Sequence, residues 1–152
     1  MVRGLSAGLP PAGSGPGLRG VGLVAAGGAV GTLARYLLEE LLGQVGGLPL
    51  GVFVINLTGA LFLGVLIGGL ARSVRPGPTR RHHELRLLLG TGLLGGYTTY
   101  SLLATDIAQL LLDGRIVVAL GYGLATIMVG GMASWSGILI TRTWRARRWA
   151  DS

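Results

Sequence analysis

The sequence GLLGGYTTYSLLATD, residues 92–106, decides the fold of this chain. It lies in an uncharged stretch of 19 residues, 87–105, which is long enough to cross a bilayer as a helix. Two adjacent glycines, Gly95 and Gly96, precede a run of hydroxyl-bearing residues at 97–101. This composition predicts a helix that breaks near its middle, and broken backbone at membrane depth requires burial in protein or a polar cavity. The alternative is an unbroken helix whose hydroxyls bond to preceding carbonyls.

Uncharged stretches on either side predict three further membrane spans. Residues 41–71 and 116–141 are runs of 31 and 26 uncharged residues, enough to cross a hydrocarbon core about 30 Å thick. The first span, residues 20–42, is weaker because its uncharged part ends at Ala34; we expect the charged end that begins at Arg35 to reach the interface. Half of the residues are hydrophobic and 12% are charged, which is typical of an integral membrane protein. The chain is therefore predicted to be an all-α membrane protein with four transmembrane helices, the third of them broken near its middle.

The remaining segments predict a simple domain organisation. Residues 1–18 are rich in Pro, Gly and Ser without a helical period, which predicts a disordered N-terminal tail. Residues 19–142 would form the four-helix transmembrane domain, and residues 143–152 a basic C-terminal tail. Prolines at 76 and 78 predict a loop over 72–86, and Asp113 with Gly114 predicts a tight turn. Four spans are too few to enclose a hydrophilic path, so transport would require an oligomer.

Composition excludes several kinds of chemistry. The chain contains no cysteine and no lysine, which excludes disulfides, thiolate metal sites, the lysine of a phosphate-binding P-loop and Schiff-base chemistry. The two histidines lie in the basic loop at 82 and 83, and the acidic residues Asp106 and Asp113 stand at the end of one span. Since no catalytic pair converges inside the membrane, we expect no enzymatic activity.

Small and polar residues inside the spans predict contacts between helices. Glycines four residues apart let helix backbones approach closely in lipid, and they occur at 27 and 31, 64 and 68, and 92 and 96. Asn56 lies in the middle of the second span, where an unpaired amide would be costly. It is either a hydrogen-bonding contact between helices or a donor to a ligand.

Three segments resemble the CrcB or Fluc family of fluoride channels: GGAVGTLARY at 27–36, VINLTGALFLG at 54–64 and, above all, the sequence at 92–106. The resemblance covers about residues 20–141. It implies a passive, fluoride-selective ion channel that lets cytoplasmic fluoride leave the cell and so lowers fluoride toxicity. It also implies small four-span subunits that assemble as antiparallel dimers, with two fluoride pathways along the subunit interface and a structural sodium ion at the dimer centre.

The resemblance assigns roles to residues around the break. The backbone carbonyls of Gly95 and Thr98, from each of two subunits, would hold the sodium ion, because hard cations prefer oxygen ligands. Fluoride is small and strongly hydrated, so its pathway needs neutral donors rather than a fixed cation that traps it. Tyr100 keeps an aromatic ring that the family has at that position, whereas Leu103 stands where the family has a second ring. The implied pathway residues are Asn56, Tyr100, Ser101, Leu103, Tyr122 and Thr126.

Two other classes of membrane protein remain as alternatives. A small multidrug-resistance-type exporter, which couples protons to cations, shares the size and the dimeric habit. It needs a carboxylate near the middle of the first span, whereas Glu39 and Glu40 lie at that span's end. A non-transporting membrane scaffold would explain the glycine pairs but not the clustered hydroxyls.

Arginines are distributed unequally between the two sides of the membrane. With four spans, the termini and the middle loop share one side, which carries eleven arginines, at 3, 19, 72, 75, 80, 81, 86, 142, 145, 147 and 148, against Arg115 on the other. The positive-inside rule then predicts a plasma-membrane protein with both termini in the cytoplasm. Since a dual-topology homodimer needs a balanced count, we expect a dimer with a homologous subunit of opposite orientation; the alternative is a dimer with an identical chain. The basic C-terminal tail, with Trp144 and Trp149, suits anionic lipid better than nucleic acid.

Overall fold

A computed structural model of the chain describes residues 17–43, 47–70 and 80–150, with side chains up to residue 143. Within them, five helices follow one another: α1 (Leu18–Leu42), α2 (Leu50–Leu70), α3, α4 (Tyr100–Leu112) and α5 (Ile116–Ala150). Helix α3 consists of three consecutive pieces, Arg80–Leu85, Arg86–Leu94 and Gly95–Tyr97. No β-strand occurs in the described part of the chain, and the N-terminal tail predicted over 1–18 lies, up to residue 16, outside it.

Three of the described helices are long and apolar enough to cross a membrane: Leu18–Leu42, Leu50–Leu70 and Ile116–Thr143. They correspond to the first, second and fourth predicted spans. The remaining predicted span is divided between α3 and α4. Helix α5 continues past its membrane-crossing part to Ala150, through the segment that the sequence predicts as a basic tail.

The predicted break lies between α3 and α4. Thr98 has φ −78° and ψ 153°, and Thr99 has φ −149° and ψ 115°, so both residues are extended where a helix would need ψ near −42°. The bend in this helix is thereby confirmed. The central piece of α3, Arg86–Leu94, is a π-helix, a wide and uncommon geometry that frequently occurs at functional sites.

The predicted small-residue pairs lie at close helix contacts. A Cβ atom built on Gly31 would collide with the carbonyl oxygen of Leu93 and lie 2.9 Å from the amide nitrogen of Tyr97. On α2, a Cβ on Gly64 would collide with the backbone oxygen of Ser134. Helix α1 therefore packs backbone to backbone on α3, and α2 packs in the same way on α5, as small residues allow in lipid.

Segments that follow one another along the chain, α1, α2, the pair α3 and α4, and α5, run in alternating directions. The start of α2 at Gly51 lies beside Glu39 near the end of α1, and Gly68 near the end of α2 lies beside Ile138 and Thr141 of α5. Arg19 at the start of α1 pairs with Glu84 in the first piece of α3 at 3.2 Å. One end of the molecule, the Arg19 end, thus holds the starts of α1 and α3 and the end of α2. The opposite end, the Gly114 end, holds the α1–α2 and α4–α5 connections.

A hydrophobic core lies towards the Gly114 end, where α2, α4 and α5 meet. Its buried members are Val52, Leu103, Leu110, Ala119 and Tyr122. The predicted tight turn follows α4, with Gly114 at φ 73° and the Arg115 amide donating to the Leu110 carbonyl at 2.9 Å. The Arg115 guanidinium also donates to the carbonyl of Gly47 at 3.1 Å, which ties this turn to the α1–α2 connection.

Helix α3 begins earlier than the sequence predicts. The loop was expected to extend over 72–86, yet the sequence RRHHEL forms the first helical piece, Arg80–Leu85. A proline forbids helix at its own interior position and disfavours it at the preceding residue. The residues after Pro78 are therefore free to start a helix, and the loop prediction was wrong over Arg80–Leu85.

Candidate ion site at the helix break

Thr99, the second of the two extended residues of the break, is bonded to α2 through Asn56. The Asn56 side chain donates from Nδ2 to the Thr99 carbonyl and accepts at Oδ1 from the Thr99 amide, both at 2.9 Å. Asn56 is 8% exposed, so this pair of bonds is shielded from competing solvent. The amide supplies to Thr99 the two partners that a helix would otherwise provide. Since the NH₂ group has two protons, one N–H of Asn56 remains for a further acceptor.

Helix α1 binds the break from the opposite side. The carbonyl of Gly96 accepts hydrogen bonds from Arg35 Nε at 3.3 Å and from Thr32 Oγ1 at 3.4 Å. Arg35 also pairs with Glu39 at 3.7 Å, and its side chain is 23% exposed. From the sequence, Arg35 was expected to extend to the membrane interface. In the structure its guanidinium instead donates to the carbonyl of Gly96 at the end of α3. An arginine inside a span needs such partners because the bilayer core offers none.

A third contact joins Tyr97 to α2. The Thr58 hydroxyl donates to the Val54 carbonyl at 2.7 Å, so its oxygen accepts from the Tyr97 hydroxyl at 2.8 Å. The Tyr97 ring lies over Gly59, where an added Cβ would be 3.3 Å from the ring and would collide with the Thr98 methyl group. Thr58 and Tyr97 were absent from the predicted site, and their proximity could not be read from residues 39 positions apart.

The carbonyls of Gly95 and Thr98 have the chemistry expected of ligands to a hard cation. In an uninterrupted α-helix the Gly95 carbonyl would accept from the Thr99 amide, but that amide is bonded to Asn56. At Thr98, ψ of 153° turns the carbonyl away from the helix axis. Neutral carbonyl oxygens suit an alkali or alkaline-earth ion. Residues Gly95 and Thr98 therefore fit the predicted sodium site, although one chain supplies two such oxygens and a cation takes more. The described residues hold no group of three or more metal-binding side chains.

A groove of about 190 Å³ between α2 and the broken helix collects several predicted residues. It is lined by Asn56, Gly59, Ala60, Leu63, Gly90, Leu94, Gly95, Thr98 and Tyr100. The predicted sodium ligands and the first two predicted fluoride residues thus line a single groove. Tyr100 is 73% exposed, so one wall of the groove is open along the outside of the subunit. All nine lining residues are uncharged.

The other predicted pathway residues lie apart from this groove. Leu103 and Tyr122 belong to the core at the Gly114 end, and the Tyr122 hydroxyl donates to the Pro49 carbonyl at 3.0 Å. Thr126 is buried and donates to the Tyr122 carbonyl at 2.8 Å. Ser101 is exposed, with its hydroxyl 3.0 Å from that of Thr99. Asn56 and Tyr100 thus line the groove and Ser101 lies beside Thr99 of the break, whereas Leu103, Tyr122 and Thr126 are buried and do not line the groove.

These features define a small helical membrane protein whose broken helix, bonded to α1 and α2, borders an uncharged and mostly apolar groove. The chain belongs to the CrcB family: the model of the family described as CrcB-like protein, Camphor Resistance (CrcB), matches residues 22–138. The break and the groove lie within the matched region, whereas residues 139–152 lie beyond it.

Several relatives carry a functional name. The chain is 40% identical over 126 residues to a fluoride-specific ion channel, FluC 2, of Leifsonia xyli subsp. xyli, covering 83% of this chain and 86% of that one. It is 38% identical to the fluoride-specific ion channel FluC of Caulobacter sp. (strain K31), covering 79% and 92%. It is 37% identical to FluC 1 of Cutibacterium acnes, covering 84% and 89%. The similarity thus extends over most of each protein.

Proposed function

We propose that this protein is a fluoride-selective passive ion channel that lets cytoplasmic fluoride leave the cell and so lowers fluoride toxicity. The observation that carries the proposal is the similarity, over about four fifths of the chain, to proteins named fluoride-specific ion channels. Conduction down a gradient involves no covalent step, so the proposed activity is not enzymatic.

The groove has the chemistry that fluoride conduction requires. A pore must replace the water around a small anion with donors, but binding must stay weak enough for release. The free N–H of Asn56 is a neutral donor of this kind, and the exposed edge of the Tyr100 ring carries partial positive charge. Arg35, the cation that contacts the end of α3 at the break, has its charge engaged by the Gly96 carbonyl and Glu39. It would therefore not trap the anion.

We infer that α3 and α4 together make the third of four membrane crossings. From Arg80 to Leu112 the two helices and their break comprise 33 residues, and helix rises by about 1.5 Å per residue. Even with two extended residues, this length exceeds a hydrocarbon core of about 30 Å. The broken backbone is then tolerated because Asn56 satisfies both backbone groups of Thr99, while Arg35 and Thr32 bond to the carbonyl of Gly96.

A second subunit completes the proposed channel. The groove is open beside Tyr100, and one chain offers two of the carbonyls that a cation would need. We propose an antiparallel dimer with a homologous subunit of opposite orientation, or otherwise with an identical chain. A sodium ion at the interface would be held by Gly95 and Thr98 of each subunit. When bound, the ion supplies charge that neutralises these carbonyl dipoles and joins the subunits; it is not transported.

Orientation follows from the distribution of arginines. Arg19, Arg80 and Arg142 all lie exposed towards the Arg19 end of the described structure, and Arg115 lies at the Gly114 end. Under the positive-inside rule the Arg19 end faces the cytoplasm. Both termini of a four-span protein in the plasma membrane would then be cytoplasmic.

The proposed activity is tested by efflux from vesicles. Purified protein is reconstituted, with its partner subunit where one is required, into vesicles loaded with potassium fluoride. Addition of a potassium ionophore should release fluoride at once, whereas vesicles loaded with potassium chloride should retain chloride. Equal release of chloride would exclude fluoride selectivity. Release that requires a proton gradient and a cationic drug would instead identify the multidrug-type exporter.

A further inference from the structure

A cleft between the first residues of α1 and α3 lies at the Arg19 end, away from the helix break. It has a volume of about 200 Å³, with Leu23 and Leu87 in its wall and Arg19, Arg80 and Glu84 at its rim. Both guanidinium groups contact the same carboxylate oxygen: Arg19 Nε and Arg80 Nε each lie 3.2 Å from Glu84 Oε1. Glu84 therefore holds two arginines from two different helices side by side.

The arrangement leaves donors for an anion. Each guanidinium uses Nε in its contact with Glu84, so its terminal nitrogens remain available. The arginine side chains are 68% and 77% exposed, and ion pairs so exposed contribute little to stability. Stability therefore does not explain this arrangement. Glu84 holds the planar guanidinium groups of Arg19 and Arg80 side by side, and two such donors suit a phosphate group.

The position of the cleft favours the phosphate of a lipid headgroup over a phosphate in solution. Helix α1 is a candidate membrane span that begins at Leu18, so Arg19 lies at the level of the lipid headgroups. Leu23 lies about one helical turn deeper, where an acyl chain would pass. A free phosphate ester has no apolar part to contact Leu23 and Leu87. A nucleic acid is negatively charged and would be repelled by the negatively charged membrane surface.

The positive charge around the cleft favours an anionic lipid. Five exposed arginines lie at this end in the described structure, namely Arg19, Arg80, Arg81, Arg86 and Arg142. Glu84 is the one acidic residue among the described residues there. Helix α5 extends from this end to Ala150 through a segment that contains three further arginines. Basic groups beside a membrane span attract anionic lipid.

We propose that this cleft binds an anionic phospholipid of the phosphatidylglycerol class. Its phosphate lies on Arg19 and Arg80, and an acyl chain lies along Leu23 and Leu87. The site is independent of the proposed fluoride pathway, since none of its residues lines the groove at the break.

Native mass spectrometry of the detergent-purified protein tests the site. Phosphatidylglycerol and phosphatidylcholine with the same acyl chains are titrated in parallel, and phosphatidylglycerol should be retained preferentially. The double variant Arg19→Gln with Arg80→Gln should weaken its retention by about fivefold for each arginine. Lysine at both positions keeps the charge but lacks the planar donor pair, and should restore part of the binding.

A matched control separates the cleft from diffuse charge. The double variant Arg81→Gln with Arg142→Gln removes the same charge from the same end but outside the cleft lining, and should retain most of the binding. Equal loss of phosphatidylglycerol retention in both double variants would contradict binding in the cleft. Equal retention of the two lipids would overturn the anionic preference. Displacement of the lipid by glycerol phosphate, which lacks acyl chains, or by a DNA oligonucleotide at physiological salt would also overturn the proposal. Elution of each variant in gel filtration at the wild-type volume establishes that it is folded.

Discussion

The Asn56 side chain pairs with the backbone of Thr99 through two hydrogen bonds of 2.9 Å, one to its amide and one to its carbonyl. In a β-sheet a neighbouring strand would bond to both backbone groups of an extended residue. Here the Asn56 side chain of α2 takes the place of that strand. The break is consequently maintained by the fold of a single subunit. The same side chain is therefore both a helix contact and, through its remaining N–H, the proposed donor to fluoride.

Asn56→Ala should reduce stability and fluoride efflux together. Loss of two hydrogen bonds to buried backbone groups costs about 1–3 kcal/mol, and the anion loses its donor. Asn56→Asp keeps an acceptor for the Thr99 amide but sets its second oxygen against the Thr99 carbonyl, so it also loses stability. Its negative charge beside the pathway should lower fluoride efflux further. We expect Asn56→Asp to show lower fluoride efflux than Asn56→Ala when the two variants are compared at matched protein incorporation. Ser136→Ala, which removes an exposed hydroxyl bonded to Met132 of its own helix, is the control. Wild-type efflux from Asn56→Asp would show that this residue has no contact with the ion.

Tyr100 should act through its ring rather than its hydroxyl. The side chain is 73% exposed on the open wall of the groove, where a ring edge can face an anion. Tyr100→Phe keeps the ring, so fluoride efflux at matched protein incorporation should fall by less than about threefold. Tyr100→Leu keeps apolar bulk without the ring edge and should be more severe. If the two variants were equally impaired, the hydroxyl that both have lost would be the important feature, and the ring edge would not.

The bond between Thr58 and Tyr97 should stabilise the break cooperatively. Tyr97→Phe and Thr58→Val each remove one partner of a 2.8 Å hydrogen bond. Residues in direct contact show coupling energies of about 0.5–3 kcal/mol, so the double variant should lose less stability than the two single losses added together. The measurement is thermal or denaturant unfolding of all four proteins in the same detergent. Strict additivity would mean that the bond contributes nothing to the folded state.

The sequence contained enough information to place the break but not to explain what holds it. Gly95, Gly96 and the following hydroxyl residues are local signals, and they lie where the helix bends. The stabilising contacts join Asn56 to Thr99 and Arg35 to Gly96 across 43 and 61 positions, which no local pattern encodes. Burial of Leu103 and Tyr122 in one core likewise depends on how α2, α4 and α5 pack. Their assignment to a fluoride pathway stays a prediction.

Gly31→Ala should disrupt packing between α1 and α3. The added Cβ would collide with the Leu93 carbonyl oxygen, which is backbone and cannot rotate away. Overpacking of this kind costs about 1–3 kcal/mol. Gly121→Ala is the matched control, because a Cβ there has no atom within 4 Å and alanine favours helix. We expect a lower melting temperature for Gly31→Ala and an unchanged or higher one for Gly121→Ala. The packing argument would fail if both variants melted at the wild-type temperature.

The distribution of arginine should fix a single orientation in the membrane. Eleven arginines belong to the side that carries the termini and the middle loop, against Arg115 on the other, and such a bias directs the basic side to the cytoplasm. The protein has no native cysteine, so Ser73→Cys and Ser152→Cys each introduce a unique thiol for labelling. An impermeant thiol reagent added to intact cells should label neither position, and both should react after the membrane is opened. Asp113→Cys, at an exposed position of the Gly114 end, should label from outside and provides the positive control. If about half of the molecules were labelled from outside at all three positions, the chain would insert in both orientations and could pair with itself. Labelling restricted to Asp113→Cys requires an antiparallel partner to be a different, oppositely oriented chain.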